Sequence, residues 1–354
     1  MHMADALLAP AVAATMYVAS GTAAGISVHK LKKDENPQKL PMMAVTAALV
    51  FAGQMINYTI PGTGSSGHLC GGVMLSALLG PQAGFLSMVV ILAIQCLFFA
   101  DGGLLALGAN CWNMAFYGCF VGYYLIWRPI MRSGWFGKLE AKAAFRAKII
   151  AASVIACVLT LQLGAFSVVL ETSLSGITEL PFGAFCALMQ PIHLAIGLVE
   201  GLITSAVLVF VFESRPELLQ ELNPEAKGIS GKRSLKTTVI ILAAAALLVG
   251  GGLSLLASSN PDGLEWALFG NADGGYSENM ALDEENFGVK SGAADAAASV
   301  QKKTAFLPDY AFSDSDSAAG TTVSGIVGSA IVAAAAAGIC ALGGFFRKKK
   351  QAKK

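Results

Sequence analysis

The first two residues of the chain, Met1 and His2, could together chelate a metal ion. Methionine aminopeptidases need a small second residue, so His2 should protect Met1 from removal. The free amine of Met1, the deprotonated backbone nitrogen of His2 and its imidazole would close two chelate rings and occupy three corners of a square. Tetragonal nitrogen sites suit Ni(II) and Cu(II) and can take Co(II). The amino terminus is therefore a candidate metal site that lacks a fourth ligand.

His68 is the candidate for that fourth ligand. It lies in the polar, glycine-rich stretch TIPGTGSSGHLCGGVM. Non-helical chain is tolerated at membrane depth only when it is buried or lines a cavity, and these glycines allow the backbone to fold back into a helix bundle. A lone loop histidine is more often structural. Together with His2 on the same predicted side of the membrane, His68 becomes the preferred fourth donor.

The other two histidines are weaker candidates. His29 stands beside Lys30 at the end of the first apolar segment and is expected to be a solvated interfacial residue. His193 and Glu200 are seven residues apart on one helical face, about 10 Å along the axis, which is too far to chelate one ion. An acid deep in a span is costly, so Glu200 should face the bundle interior and have a partner. A structural polar contact and a role in ion passage both stay open for this pair.

The remaining chemistry-bearing motifs exclude more than they predict. The seven cysteines contain no CxxC pair, and most fall in apolar segments, so we expect small buried side chains rather than a thiolate cluster or a disulfide frame. The chain contains no Walker motif, no GxSxG and no HExxH. Any ATP hydrolysis must therefore take place on another chain.

Composition predicts that lipid is the solvent of this protein. Hydrophobic residues make up 55% of the chain and charged residues only 13%, whereas soluble domains carry about 25% charged residues. Several stretches approach the roughly 20 apolar residues that cross a bilayer as a helix. We therefore predict an all-α polytopic membrane protein with about nine spans, at 5–28, 41–57, 69–80, 84–100, 104–127, 149–170, 189–212, 237–257 and 322–346. Pro81 leaves open whether the third and fourth segments are full spans or a broken, re-entrant element.

The distribution of charge predicts the orientation. Of the 24 Lys and Arg residues, 21 fall at 29–40, 128–148, 213–236 and in the tail from Arg347. The other three lie in the loop 258–320, which carries 11 Asp and Glu residues. The positive-inside rule is then satisfied with the N-terminus outside and the C-terminus in the cytoplasm.

The chain is predicted to have two parts. Residues 1–215 form a seven-helix bundle, and residues 216–236 form a charged cytoplasmic linker with prolines and glycines. Residues 237–354, called the C-terminal segment below, form a two-helix hairpin around the acidic outer loop 258–320. That loop either concentrates cations near the metal site or is a solvated spacer, and both interpretations stay open.

Four stretches of the first part resemble the CbiM/NikM family, the substrate-binding membrane component of energy-coupling-factor cobalt and nickel transporters. They are MHMADALLAP, INYTIPGTGSSGHLCGG, DGGLLALGANCWNMAFYG and IGLVEGLIT. In the C-terminal segment, SSNPDGLEWAL, LPDYAF and SGIVGS resemble the small PDGLE component of the same transporters, CbiN or NikN, here fused to the larger one. The glycine-rich loop reads TGSSGH where many relatives read GTSGH, which puts the hydrogen bonds of the loop in doubt.

The resemblance implies a ligand set and a function. The amino terminus would insert into the membrane domain and hold Ni(II) or Co(II) through the Met1 amine, two nitrogens of His2, and His68. Ser66 and Asn110 are expected second-shell partners, because metal-bound imidazoles usually donate their other N–H to an oxygen. The implied function is metal uptake across a bacterial cytoplasmic membrane. The implied partners are a transmembrane coupling subunit and cytoplasmic ATPases, with no resident cofactor and no nucleic acid.

Three other interpretations of the sequence are less well supported. A secondary, ATP-independent carrier would need inverted repeats or an acidic proton relay, and neither is evident. An intramembrane enzyme is disfavoured because His193 and Glu200 are mis-spaced for a catalytic couple. A signal peptide over the first 20 residues would remove the candidate ligands, but that stretch contains Asp5 and no Lys or Arg.

Overall fold

The computed structural model describes residues 1–32, 39–177, 179–221, 231–272, 274–275, 280, 282, 287–312 and 318–351. Most of these residues are helical. We label the helices in chain order: α1 Pro10–Leu31, α2 Lys39–Gln54, α3 Gly72–Leu79, α4 Pro81–Phe99, α5 (Leu107–Asn110, π-helical Cys111–Trp127 and Arg128–Arg132), α6 Ala141–Leu174, α7 Phe182–Ser214, α8 Leu235–Gly251, α9 Gly263–Phe269, α10 Gly292–Thr304 and α11 Ala318–Gln351.

Each of the nine predicted segments overlaps one of these helices. Five helices in the described part of the chain are long and apolar enough to cross a membrane: α1, α4, α6, α7 and residues Ala319–Ala341 of α11. Two shorter apolar helices are Leu40–Gln54 and Leu235–Gly251. Many of the large side chains on the outer faces of α6 and α7, such as Leu159 and Leu202, are apolar and exposed. An apolar exterior is what a lipid environment requires, because lipid tails offer no penalty to it.

The segment around Pro81 is a broken element. Helix α3 has only eight residues and all of them are buried. Eight helical residues extend about 12 Å, well short of about 30 Å of hydrocarbon. Gly80 has a φ of +82° and separates α3 from α4, which starts at Pro81. Helix α3 is therefore a buried half-helix inside the bundle, the second of the two possibilities that the sequence left open.

The described part of the chain also contains one small sheet that the all-helical prediction did not include. Strands β1 (Tyr58–Ile60) and β2 (Ser65–Gly67) pair antiparallel, with Tyr58 opposite Gly67 and Ile60 opposite Ser65. The connecting turn contains Gly62 and Gly64 at φ of +78° and +75°, a conformation that glycine adopts without strain. This hairpin delivers the chain to His68 immediately after β2.

Close helix contacts hold the bundle together through small residues. Helices α6 and α7 pack side by side, and a Cβ added at Gly201 would lie 2.7 Å from Cα of Val154. The two long helices of the C-terminal segment, α8 and α11, pack on α2 and on each other. A Cβ at Gly250 would lie 3.0 Å from the carbonyl oxygen of Gly325. Small residues let membrane helices approach closely, and this gives dispersion contacts that lipid cannot replace.

The loop that joins α8 to α11 lies over the amino terminus. The backbone N–H of Val289 donates to the carbonyl of Ala6 at 2.8 Å, and Nε2 of Gln301 on α10 donates to the carbonyl of Gly102 at 2.7 Å. Residues 222–230 of the predicted linker 216–236 lie outside the described residues. The described part of the loop is therefore packed against the bundle, at the same face as the first residues.

Candidate metal centre

The amino terminus is inserted into the protein. Met1 is 4% exposed and Met3 is fully buried. The side chain of Asn110, on α5, bonds both sides of the Met3 main chain: Oδ1 accepts from the Met3 N–H at 2.8 Å, and Nδ2 donates to its carbonyl at 3.2 Å. The N–H of Gly103 donates to the same carbonyl at 2.9 Å. These bonds fix where the first two residues must lie.

His68 is held by a different clamp. Just beyond it, Glu200 on α7 accepts the backbone N–H groups of Cys70 and Gly71, each at 2.9 Å. Two charge-assisted bonds to a buried carboxylate are strong, and they satisfy main-chain donors that no helix would satisfy here. Gly71 has a φ of +84°, which turns the chain into α3. The predicted partner of Glu200 is thus the loop that carries His68, which favours the structural interpretation of this acid.

The geometry brings the Met1 amine and the His68 ring together. The amine nitrogen lies 3.3 Å from Nε2 of His68. Nδ1 of the same ring lies 3.1 Å from the carbonyl oxygen of Leu69. A carbonyl is only an acceptor, so Nδ1 carries the proton and Nε2 presents its lone pair to the amine. This is the tautomer that a metal ligand needs.

His2 lies directly beside His68. The two rings are stacked at a centroid separation of 5.2 Å and an interplanar angle of 21°. Nδ1 of His2 faces Oδ1 of Asp101 at 3.1 Å, and Nε2 faces Oε1 of Gln95 at 3.2 Å. Burial lowers the pKa of the His2 imidazole to about 4, because it disfavours the charged ring more than Asp101 stabilises it. Among the described residues, none accepts a hydrogen bond from the backbone N–H of His2.

A carboxylate from the C-terminal segment completes this cluster. Oδ2 of Asp262 lies 2.9 Å from the Met1 amine and 3.8 Å from Nε2 of His68. Burial alone would lower the pKa of the amine, but the charge of Asp262 and its hydrogen bond outweigh burial, and the pKa is raised above the ordinary value of 8.0. The amine is therefore held as an ammonium ion until something displaces its proton.

The expected second-shell residues act on the main chain rather than on the rings. Asn110 fixes Met3, as described above. Ser66 donates from Oγ to the carbonyl of Asn260 at 2.8 Å and from its backbone N–H to the carbonyl of Pro261 at 2.8 Å. Both residues thus lie at the site, one positioning the amino terminus and the other joining β2 to the C-terminal segment.

His193 also borders the site, although no sequence pattern predicted its position there. Its Nδ1 lies 2.8 Å from the carbonyl of Met189, one helical turn earlier, and its Nε2 has no partner among the described residues. The ring lines a small cavity together with Met1, His68 and Asp262. Sequence reasoning also missed Asp101, Gln95 and Asp262. Asp101 and Asp262 stand within the DGGLL and PDGLE motifs, but no local pattern linked either to His2 or Met1.

The cluster differs from a site built of side chains alone. Within the part of the chain that the structure describes, no group of three His, Cys, Asp or Glu side chains is arranged to hold a metal ion, and all seven cysteines are free. What converges here instead is the terminal amine, a main-chain N–H and an imidazole.

Comparison with known proteins identifies the family of the chain. A family model described as CbiM, cobalt uptake substrate-specific transmembrane region, matches residues 2–218, and a PDGLE domain model matches residues 236–343. The chain is 34% identical to a putative fused nickel transport protein NikMN of Archaeoglobus fulgidus, over 94% of this chain and 96% of that protein. It is 30% identical to the cobalt transport protein CbiM of Sorangium cellulosum, over 63% of this chain and 96% of that protein.

The fold has a counterpart among solved structures. A truncated transition metal transporter superimposes with a TM-score of 0.51 at 31% sequence identity, covering 60% of this chain and 99% of the other. That structure leaves a substantial share of this chain unmatched. Residues 236–343 match the PDGLE domain model. This multi-pass membrane protein therefore belongs to the CbiM family of nickel and cobalt transport proteins and carries a PDGLE domain fused to its CbiM region.

Proposed function

We propose that the chain captures Ni(II) or Co(II) in a near-planar site of four nitrogens: the Met1 amine, the His2 backbone nitrogen, the His2 ring and Nε2 of His68. The observation that carries the proposal is the separation of 3.3 Å between the Met1 amine and Nε2 of His68, both in the protein interior. Adjacent donors about 2.1 Å from an ion and at right angles lie about 3.0 Å apart, so only a small closing movement is needed.

The other two donors follow from the connectivity of the first two residues. Nδ1 is the ring nitrogen that can close a chelate ring with the backbone nitrogen of its own residue. In the structure that atom faces Asp101. Binding in this proposal therefore exchanges a hydrogen bond to Asp101 for a bond to the ion, and the neutral state of the buried ring favours the exchange.

The donor set supplies the selectivity. Zn(II) prefers tetrahedral N and S surroundings and Mg(II) an octahedron of oxygens, so a plane of nitrogens disfavours both. Cu(II) would bind more tightly than nickel to such ligands. Copper must therefore be excluded by what the outside of the cell offers rather than by the ligands. Relatives named for nickel and for cobalt are consistent with either ion as the substrate.

The transport step in this proposal requires other subunits. The chain would face outward with its amino terminus, cross the bacterial cytoplasmic membrane nine times and end in the cytoplasm. The third crossing would be made by the half-helix α3 together with the buried loop that precedes it. Residues 1–215 would bind the ion, 216–236 would link, and 237–354 would form the hairpin. A transmembrane coupling subunit and cytoplasmic ATPases would drive release inward. Support comes from the charge distribution and from the absence of nucleotide-binding motifs in the sequence.

Metal competition on the purified chain with its native amino terminus tests the proposal. Ni(II), Co(II), Cu(II) and Zn(II) are offered singly and in pairs, and bound metal is read by elemental analysis and visible absorption. One nickel or cobalt ion per chain with a planar-type spectrum is expected. His2→Ala and His68→Ala should each abolish it, and His29→Ala, an exposed histidine, should not. A His2→Ala or His68→Ala chain of near-normal affinity contradicts the four-nitrogen site.

A further inference from the structure

Asp262 is fixed before it reaches the site, because it begins helix α9. Its Oδ1 accepts the backbone N–H groups of Leu264 and Glu265 at 2.8 and 2.9 Å, and the Glu265 side chain bonds back to the Asp262 main chain in a capping box. Such caps stabilise the first turn of a helix by satisfying backbone N–H groups that have no partner within the helix. One carboxylate oxygen is therefore committed to the helix, and this orients the other.

The other oxygen, Oδ2, stands at the corner of a triangle of donors. It lies 2.9 Å from the Met1 amine and 3.8 Å from Nε2 of His68, and these two nitrogens are 3.3 Å apart. Three donors that bind one ion at right angles to each other are about 3.0 Å apart, since each is about 2.1 Å from the ion. The triangle is close to one face of such a coordination sphere. Capping α9 does not consume this oxygen.

The backbone next to Asp262 is bound to the loop that carries His68. Ser66 N–H donates to the carbonyl of Pro261, and Ser66 Oγ to the carbonyl of Asn260, both at 2.8 Å. Ser66 and Asp262 form a parallel bridge between the two chain segments. Because Ser66 precedes His68 by two residues, these bonds set the carboxylate beside the imidazole. Both bonds join Ser66 of one segment to main-chain carbonyls of the other.

Two cavities meet at Asp262. A larger one of about 660 Å³ is lined by His2, Asp101 and Tyr310, and by residues of α9 and α10. A small one is lined by Met1, Cys70 and His193. Asp262 and His68 line both of them. An ion that passes from the larger cavity to the amine of Met1 therefore passes this carboxylate and His68.

We propose that Asp262 is a loading ligand: its Oδ2 binds the incoming ion together with the Met1 amine and His68, before the two nitrogens of His2 complete the square. The inference rests on the proposed function. The anionic oxygen attracts a hydrated divalent cation and displaces one of its waters. The Met1 ammonium releases one proton to solvent as its nitrogen binds, and the His2 amide must release a second before it can bind. In this proposal the C-terminal segment contributes one side chain to metal capture. Asp262 then has a role that the other acidic residues of the segment do not share.

The rate of metal association separates this role from a structural one. Stopped-flow absorption follows Ni(II) binding to the full chain, and dissociation is followed after addition of a chelator. Asp262→Asn should slow association about tenfold or more, since charge and oxygen ligation are both lost. The dissociation rate should change by less than about threefold and the final spectrum should not change, because the four nitrogens remain.

Two variants and one control keep the test interpretable. Asn and Ser both cap helices well, so Asp262→Asn and Asp262→Ser each retain the start of α9, and unchanged melting of both chains confirms their folding. Asp295→Asn removes the same charge from an exposed position on α10. It should load at the wild-type rate, and the Asp262 effect should persist in 0.5 M salt, where exposed charges are screened beyond about 4 Å.

The failures are distinguishable. A wild-type chain that binds no nickel or cobalt overturns the proposed function and the loading role with it. A wild-type chain that binds the ion, with Asp262→Asn and Asp262→Ser loading as fast, overturns the loading role and leaves the four-nitrogen site in place. The loading role is also overturned if Asp295→Asn slows association as much as Asp262→Asn does. General electrostatic attraction of the cation by acidic residues would then account for the effect.

Discussion

The nitrogen side and the oxygen side of the candidate metal centre are fixed to the protein in different ways. On the nitrogen side, Asn110 bonds both faces of the Met3 main chain and Glu200 holds the loop after His68. On the oxygen side, Asp262 is oriented by its own helix cap and meets the bundle through Ser66 and a few other main-chain contacts.

The two sides are therefore expected to respond differently to mutation. The nitrogen side is built from the amino terminus and from buried loops of one bundle, so losing a donor there removes the site itself. The oxygen side lies on a separate stretch of chain, 194 residues beyond His68 in sequence, with its own local fold. We expect equilibrium affinity to depend on the first side and loading to depend on the second.

The largest loss of nickel affinity is expected when the Met1 amine is moved. Two leucines inserted between Met1 and His2 shift the amine by about 7 Å along the chain and enlarge its chelate ring, and the large second residue prevents removal of the methionine. Nickel affinity should fall about a thousandfold, equivalent to about 4 kcal/mol. Equilibrium dialysis measures the loss, and two leucines added after Lys354 serve as the control. Unchanged affinity would show that the Met1 amine is not a donor.

Acidification should weaken binding strongly, because the donors must release protons. The raised pKa of the Met1 amine leaves it protonated below about pH 8, and the His2 amide carries a second proton. Each proton that binding releases lowers apparent affinity about tenfold per pH unit of acidification, so two give about a hundredfold. Titration calorimetry in buffers of different ionisation enthalpy counts the protons. A count near zero contradicts amine and amide ligation together.

A smaller effect is expected when the clamp on the nitrogen side is weakened. Glu200→Gln keeps one acceptor oxygen but places an NH2 group against the second of the two N–H groups, which leaves a buried donor unpaired. Loss of such a bond costs about 1–3 kcal/mol. Melting temperature should fall, and nickel affinity should fall about tenfold as the loop with His68 loosens. Glu217→Gln, on an exposed side chain, is the matched control. Equal melting of both variants contradicts the clamp.

The smallest equilibrium effect should come from the largest deletion. Removal of residues 223–354 takes away Asp262 and the hairpin but none of the four nitrogens. Uptake by cells should drop, whereas metal content of the purified chain at equilibrium should match the full-length protein within about threefold. Loss of all bound metal would place an obligatory ligand in the C-terminal segment and erase the distinction between the two sides.

Much of the architecture could be predicted because lipid constrains the sequence. A membrane helix must be a long apolar run, and the nine predicted segments each fall on a helix. Met1, His2 and His68 could be selected because histidines are scarce and one of them directly follows Met1. The broken element at Pro81 was foreseen as one of two possibilities, since a proline after a short apolar run ends a helix.

The rest depends on contacts between distant residues. Asp262 is one of 11 acids in its loop, and nothing local marks it as the one that reaches the Met1 amine. His193 appeared isolated because only its distance from Glu200 along one helix could be calculated. The β1–β2 pairing joins two strands of three residues each across a glycine-containing turn, and strands this short produce no sequence pattern. The orientation of the spans and the boundaries of the two parts stay predictions from charge and composition.

The bond between Glu200 and the loop also makes α7 a mechanical link. Two N–H groups of the loop are tied to one side chain of a long, continuous helix, so the helix and the loop move as one body. A slide of α7 by one helical turn, about 5.4 Å, exceeds the reach of any metal–nitrogen bond. If His68 is the metal ligand proposed above, force applied to the far end of α7 would withdraw it from the ion without unfolding any helix.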